Sequence, residues 1–258
     1  MKKGYVRMPA CAKRYGKHYF TGTYGFDGLK KYDMHWWSVR MYASVADRWL
    51  RRIGGRRVLE VGCGHGFMLS RLEETYDTFG IDISEYAIRE TRRFAPKSRC
   101  FVADLEKALP EEIKEKAFDL IVAKYVLEHL RDPLKAMKRL VSCLRPGGLL
   151  FFSVPNTESL GARLKGPHWY ACKDPTHCAL LAPARWLQMV QDAGLRLAKE
   201  FSDGYWDLPY LPVLPRWMQF PFFAWTSALA CLTGREILPA RFGENILVMA
   251  EKPKDQGE

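Results

Sequence analysis

Val58-Leu59-Glu60-Val61 runs directly into Gly62-Cys63-Gly64-His65-Gly66. A short apolar run ending in glycines at alternate positions predicts a buried strand that turns sharply into a helix. Glycine lets the backbone bend tightly and lets a ligand lie against the main chain. The helix start beyond it offers unpaired N–H groups. Spacing narrows the ligand. A dinucleotide fingerprint G-x-G-x-x-G starting at Gly62 requires a small residue at position 67, where Phe67 stands. No G-K-[ST] follows the loop, which excludes a phosphate-cradling Walker sequence. Asp82, twenty residues beyond Gly62, closes the next apolar run, where an acid can accept hydrogen bonds from ribose hydroxyls. Asp104 closes the third run, where a carboxylate can receive an adenine amino group. The bland alternatives are a plain strand-to-helix turn for the glycines and turn caps for the two acids.

Working outward, short apolar runs read as buried parallel strands at 57–61, 78–82, 100–104, 119–123 and 149–154. Helical stretches lie between them near 66–75, 85–94 and 132–144. Asp132 is placed to cap the last of these, Pro133 suits its first turn, and Pro146-Gly147-Gly148 is expected to end it. A further helix runs from Pro183 to Gly194, and two last strands follow at 195–201 and 245–251. Upstream, Trp37, Met41, Val45 and Trp49 recur at four-residue steps, the apolar stripe of an amphipathic helix over 35–53. Strands alternating with helices predict an α/β fold: a Rossmann-like doubly wound sheet, mostly parallel with an antiparallel last strand. The expected division is a basic N-terminal arm and helix (1–54), a core (55–201), an aromatic cap insert (202–244) and a last strand with tail (245–258), all in one domain. Within the insert, Trp217 to Gly234 holds no charged residue, and its eighteen positions touch the lower limit for a membrane span. Gln219, Pro221, Thr226 and Ser227 argue against a span and for a cap.

Composition bounds the function. The chain has 258 residues and is 48% apolar and 27% charged, an ordinary globular balance that excludes a largely disordered chain. Its net charge of +11 is confined to residues 1–57, with 14 Lys/Arg against 3 Asp/Glu. Such an arm suits nucleic acid, anionic headgroups or an acidic substrate, or simply a solvated surface. Seven scattered cysteines contain no C-x-x-C pair, so reduced thiols and a cytoplasmic location are expected, with membrane association as an added expectation. The first twenty residues lack the apolar stretch of a secretory signal. No G-x-S-x-G or H-E-x-x-H occurs, which removes the commonest hydrolase signatures.

The ordered set of features resembles the class I S-adenosylmethionine-dependent methyltransferases, of the broad group that includes small-molecule and ubiquinone-pathway O-methyltransferases. The likeness is strong over 55–155 and weaker to 195 and at 244–252. The glycine loop matches that family's first motif, Asp82 its ribose-binding acid and Ala103-Asp104-Leu105 its adenine-contacting segment. Val126-Leu127-Glu128-His129-Leu130 and Leu144-Arg145-Pro146-Gly147-Gly148 are similar to segments that follow. The resemblance implies S-adenosyl-L-methionine as cofactor, held by Glu60, Gly62, Cys63, Gly64, Asp82, Ile83, Asp104, Leu105 and Lys124. Cys63 would contribute backbone contacts only. Arg40 is expected to meet the cofactor carboxylate, after the arginine that precedes the first strand in related enzymes.

In an open parallel sheet, ligands bind outside the carboxyl ends of the strands. Segments 124–131, 155–182 and 202–244 leave the sheet there, carrying Lys124, Tyr125, His129, Asn156, His168, Trp169, Tyr170 and His177. His129 directly follows the fourth strand and is the first candidate general base; His177, in Asp174-Pro175-Thr176-His177, is the second. For both, packing against the sheet is the competing reading. No metal site is expected, because Cys172, His177 and Cys178 lack a fourth ligand and a recognised spacing. Residues 1–34 are expected to return over the cofactor as a lid, with Tyr15, Tyr19, Phe20, Tyr24 and Phe26 as apolar contacts. The expected activity is methyl transfer to a small-molecule, lipid-like or glycan-linked acceptor, at oxygen, with peripheral membrane contact. The alternatives are an RNA methyltransferase that uses the basic arm and a non-catalytic methyltransferase-like binding subunit. Nucleic acid is the less favoured partner, and nothing in the sequence fixes the oligomeric state.

Overall fold

The structure, a computed structural model, describes residues 15–23 and 31–254. A π-helical turn, Tyr19–Thr23, precedes helix α1 (Met34–Ile53). Asp33 caps α1 by accepting from Trp36 N at 2.6 Å, and Gly54 closes it at φ 63°. Then follow β1 (Arg57–Val61), α2 (Leu69–Leu72), β2 (Asp77–Asp82), α3 (Glu85–Phe94), β3 (Arg99–Val102), α4 (Glu111–Lys114) and β4 (Phe118–Lys124). The second half holds α5 (Pro133–Ser142), β5 (Leu144–Pro155), α6 (Leu160–Lys165), α7 (Tyr170–Lys173), α8 (Pro183–Asp192) and β6 (Arg196–Phe201). Two short helices, α9 (Arg216–Gln219) and α10 (Trp225–Thr233), occupy the segment before β7 (Asn245–Glu251).

The seven strands form one sheet in the order β3-β2-β1-β4-β5-β7-β6. β1 to β5 pair in parallel, and β7 runs antiparallel to both β5 and β6. This is the expected sheet with its antiparallel last strand. Alternate residues face opposite layers. Leu59, Val61, Ile121, Leu150 and Phe152 pack against α5 and α8, whereas Val58, Leu120, Val122, Phe151 and Met249 pack against α1. A sheet covered on both faces must be apolar at successive positions, which is why its strands read as continuous hydrophobic runs.

Several boundaries differ from the sequence reading. The helix expected over 66–75 is reduced to α2, because Gly66 at φ 76° and a following turn take up its first residues. Asp132 caps α5 as expected, accepting from Lys135 N at 3.0 Å, but Pro146-Gly147-Gly148 lies in the irregular start of β5 rather than at the helix end. β3 stops at Val102, so Asp104 sits two residues past the strand. On α1 the buried face is Met41, Tyr42, Val45, Ala46 and Leu50, while Trp37 and Trp49 are only half-buried. No helix among the described residues is long and apolar enough to cross a membrane.

Candidate active site

Because β1, β2 and β4 are parallel, their carboxyl ends share one edge, and Val61, Asp82 and Lys124 meet there. A cavity of about 640 Å³ opens along that edge, within the roughly 300–1,000 Å³ of small-molecule sites. Its glycine floor is conformationally committed: Gly62 at φ 67° and Gly64 at φ 55° lie in the left-handed region that side chains rarely adopt. A Cβ on Gly62 would fall 2.4 Å from Val126 Cγ2. Asp82 ties this loop to the next helix, accepting from Gly64 N at 3.0 Å through one oxygen and from Ser84 N at 2.8 Å through the other. Burial pushes the Asp82 carboxyl up from its ordinary value, and the backbone N–H donors oppose that. Asp104 accepts from Glu106 N at 3.0 Å, so it caps a turn while lining the cavity.

Two opposite charges lie deeper. Burial pushes Glu60 up to about 8 and Lys124 down to about 8, and each partly offsets the other. Lys124 Nζ donates to Ser38 Oγ at 3.2 Å and lies 4.4 Å from the Tyr42 ring centroid. Glu60 Oε2 has no hydrogen-bond partner among the described residues, and the carboxylate faces the cavity. His35, on α1, is held down to about 4, first by burial and then by Lys124.

The far end of the cavity is aromatic and histidine-bearing. Tyr125 Oη donates to Asp203 Oδ2 at 3.1 Å, and Asn245 Nδ2 donates to the same oxygen at 2.7 Å. Burial pushes Asp203 up to about 6, against these hydrogen bonds and Lys124. His129 Nδ1 lies 2.9 Å from Thr176 Oγ1, which itself donates to Asp174 Oδ1 at 2.6 Å. Since the threonine proton is committed to the carboxylate, His129 Nδ1 is the donor and Nε2 keeps its lone pair. His177 Nδ1 is 2.7 Å from Ala171 O. A carbonyl only accepts, so Nδ1 is the donor, and Nε2 lies 3.9 Å from Asp174 Oδ2. Burial, then the neighbouring His177, holds His129 down to about 4.

The structure brings together Glu60, Gly62, Cys63, Gly64, Asp82, Ile83, Asp104, Leu105 and Lys124 with His129 and His177 around one cavity. Arg40 is not among the lining residues. Its guanidinium donates to Cys231 O and Leu232 O, each at 3.0 Å, near the end of α10. The face of α1 that carries Arg40, Ser44 and Arg48 turns toward the insert, so Arg40 holds a helix terminus instead of reaching the cavity. Asn156 and Trp169 also lie off the cavity; Asn156 Nδ2 donates to Gly243 O at 3.2 Å and Trp169 Nε1 to Glu244 Oε2 at 2.6 Å. His168 is exposed and does not line it. From the arm, Tyr15, Tyr19 and Phe20 do line it, Tyr15 sitting edge-on to His129 with centroids 6.0 Å apart. Tyr24 and Phe26 fall outside the described residues. From the insert, Asp203, Trp206, Ser227 and Cys231 line the same cavity.

His35, Tyr42, Glu128 and Asp203 were not singled out as site residues by the sequence. Tyr42 belongs to the buried stripe of α1, and no local pattern marks the other three as cavity-facing. Glu128, His129 and His177 also form a compact set of potential metal ligands.

The model of a family described as a methyltransferase domain matches residues 36–200. A ubiquinone biosynthesis O-methyltransferase from Neisseria meningitidis is 24% identical over 210 residues, covering 66% of this chain and 85% of the relative. One from Acinetobacter baylyi is 29% identical over 187 residues, covering 62% and 75%. Among solved structures, a magnesium protoporphyrin IX methyltransferase from Synechocystis with bound S-adenosylhomocysteine superposes with a TM-score of 0.58 at 17% identity, covering 91% of this chain and 96% of that one. A SAM-dependent methyltransferase from Archaeoglobus fulgidus gives 0.53 at 21% identity, covering 81% and 94%.

Proposed function

The chain belongs to the class I S-adenosylmethionine-dependent methyltransferases, and from that premise we propose that it methylates an oxygen of an apolar small-molecule acceptor. The single observation that carries this reading is the continuity of one cavity from the glycine loop to the His129–His177 pair. The residues present fit the cofactor. Gly62 and Gly64, at positive φ, leave the loop's main chain bare along the cavity, Asp82 and Asp104 line it as the acceptors that a ribose and an adenine would need, and Glu60 Oε2 is a buried oxygen in want of a donor. Bound there, S-adenosylmethionine supplies a methyl group already made electrophilic by its sulfonium.

The protein's own task is to place and prepare the acceptor. Glu60 and Lys124 together offer a carboxylate for an amino group and an ammonium for a carboxylate at the buried end of the cofactor site. Tyr15 and Phe20 close over the glycine loop and His129, which limits water at the reacting centre. His129, held neutral by burial, presents its Nε2 lone pair to an acceptor hydroxyl with the His177 ring beside it, orienting the hydroxyl proton away from the attacking lone pair. Near-attack positioning of this kind is worth roughly 7–11 kcal/mol in favourable cases. Trp206 and Tyr170, with ring centroids 4.6 Å apart, supply an apolar wall for the acceptor.

The insert also exposes Trp217 and Phe222, each 75% accessible. We read them as the surface that meets a lipid-borne acceptor. Incubation of purified protein with methyl-labelled S-adenosylmethionine and a cell extract, followed by fractionation, tests the reading. Label is expected in apolar small molecules or lipid; label confined to RNA or protein would overturn the acceptor class.

A further inference from the structure

We propose that Asp203 and Ser227 form a second polar subsite of the cavity, which binds a hydroxyl of the acceptor other than the one that is methylated and so selects acceptors that carry two. Asp203 is buried and lines the cavity just past β6, and Ser227, also buried, lines it from α10. The chain around Asp203 is pinned on both sides: Ser202 N donates to Leu238 O at 3.0 Å, and Gly204 O accepts from Glu244 N at 3.1 Å. Gly204, at φ 87°, lets α10 come close, since a Cβ there would lie 2.6 Å from Ser227 Oγ. Asp203 and Ser227 are thereby brought to the same part of the cavity.

Three observations point to a ligand rather than to a closed polar core. First, both hydrogen bonds that reach the Asp203 carboxylate go to one oxygen: Tyr125 Oη and Asn245 Nδ2 donate to Oδ2. Asn245 is itself held, because Tyr170 Oη donates to its Oδ1. The other oxygen of Asp203, Oδ1, has no hydrogen-bond partner among the described residues, although the Trp206 indole also steadies the charge. A buried carboxylate oxygen left unmatched is costly unless something donates to it. Second, Ser227 Oγ is likewise buried with no partner among the described residues. A serine hydroxyl both donates and accepts, so it can give its proton to a ligand oxygen whose own proton goes to Asp203 Oδ1. Third, Tyr125 holds φ 53°, a left-handed conformation that an aromatic residue rarely adopts. Such strain persists where the surrounding structure enforces it, typically at ligand sites, and here it accompanies the phenol that fixes Asp203.

Charge favours a neutral hydroxyl over an amine. Burial raises Asp203 to about 6, so it is ionised at neutral pH, and the Lys124 ammonium already acts on it as an opposite charge. A cationic amine would bring a second positive charge beside Lys124 in a buried site, at a desolvation cost. A hydroxyl completes Oδ1 and leaves the charge balance as it stands. The inference rests on the methyltransferase reading for the identity of the other hydroxyl: His129 faces the one that is methylated, and Asp203 and Ser227 hold its companion without taking its proton. No bond is made or broken at this subsite, whose contribution is to orient the acceptor.

Resorcinol and its monomethyl ether are the probes, titrated calorimetrically into protein in the presence of excess adenosylhomocysteine. The ether keeps one hydroxyl and replaces the proton of the other with methyl. Wild-type protein is expected to bind resorcinol about tenfold or more tightly than the ether, the loss that follows when a hydrogen bond to a charged group is unmade. Asp203→Asn is the sharper test. Tyr125 and Asn245 both donate to the position of Oδ2, so the amide oxygen is held there and the amide NH₂ takes the place of Oδ1. A donor then stands where an acceptor stood, and the preference for resorcinol should vanish or reverse. Ser227→Ala, which leaves the carboxylate in place, should weaken resorcinol binding without reversing the preference. Adenosylhomocysteine binding by both variants shows that they fold. Failure of wild-type protein to bind resorcinol, equal affinity for the two probes, or a preference unchanged in Asp203→Asn would overturn the subsite. Failure of wild-type protein to bind adenosylhomocysteine while the resorcinol preference persists would sink the methyltransferase reading instead.

Discussion

Trp169 donates its indole N–H to Glu244 Oε2 at 2.6 Å, joining the segment after β5 to the residue that precedes β7. Glu244 is wholly buried and also accepts from Ser159 Oγ at 3.0 Å, Gly161 N at 3.2 Å and Tyr210 Oη at 2.7 Å. One carboxylate thus gathers donors from two of the three segments that leave the sheet beside the cavity. Gly161 permits the approach, since a Cβ there would lie 2.5 Å from Glu244 Oε2.

Glu244→Ala is expected to destabilise the protein by about 1–3 kcal/mol for each buried donor left without water or another partner. Thermal unfolding should fall by about 5–10 °C. A midpoint unchanged in Glu244→Ala would show that these donors find other acceptors and that the carboxylate does not fasten the insert.

Asp104→Ala should weaken adenosylhomocysteine binding by about 1–3 kcal/mol, the cost of one buried hydrogen bond unmade. Its present partners, Glu106 N and Lys107, belong to an exposed turn, so the fold should survive. Calorimetry with adenosylhomocysteine and with NAD checks both halves; NAD is expected to give no signal. Unaltered affinity in the variant removes Asp104 from the site.

Lys124→Met tests the buried charge. The folded-state value of Lys124 is about 8 against an ordinary 10.5, so its destabilising effect is complete below pH 8 and lifts as pH rises toward 10.5. Glu60, Asp203 and Cys231 all act on this ammonium, and the Tyr42 and Tyr125 rings lie beside it. The expected result is that the variant, without cofactor, unfolds at a higher temperature than wild type at pH 7, and that this advantage shrinks between pH 8 and 10. Its adenosylhomocysteine affinity should fall. A stability difference independent of pH would mean that the ammonium is solvated in the free protein.

Trp206→Ala should leave cofactor affinity unchanged and raise the acceptor KM, because the indole lines the cavity from the insert, packed on Tyr170. Loss of cofactor affinity in this variant would place Trp206 on the wrong side of the cavity for an acceptor wall.

The replacement of His129 by Gln should lower methyl transfer by about 10²-fold or more. Adenosylhomocysteine binding should hold. Transfer at the wild-type rate would reduce His129 to packing against the sheet.

The glycine loop, Asp82 and the parallel strands could be read directly because each depends on residues close in sequence. A buried strand must be apolar, a sharp turn at positive φ favours glycine, and a strand-end acid sits at a fixed remove from the loop. The same locality explains the misjudged boundaries. At Gly66 a positive φ and the turn after it displaced the first turn of the expected helix, and the Pro146-Gly148 segment fell where β5 begins its irregular pairing with β4.

What lies across the cavity from the cofactor loop was decided by tertiary structure alone. Arg40 sits at a helical position from which either the cavity or the insert is within reach, and only the packing of α10 against α1 turned it to Cys231 O and Leu232 O. Asp203 and His35 are polar residues in unremarkable contexts, and Glu128 lies in a family-like segment that gives it no role of its own; their significance comes from burial, a property of all the elements around them rather than of their own. His129 and His177 were legible as candidates, but their pairing with each other and with Glu128 was not. Residues 128 and 177 meet because the chain leaves β4, crosses through α5 and β5, and returns, and no local pattern encodes the ångström-scale distance at which such a path closes.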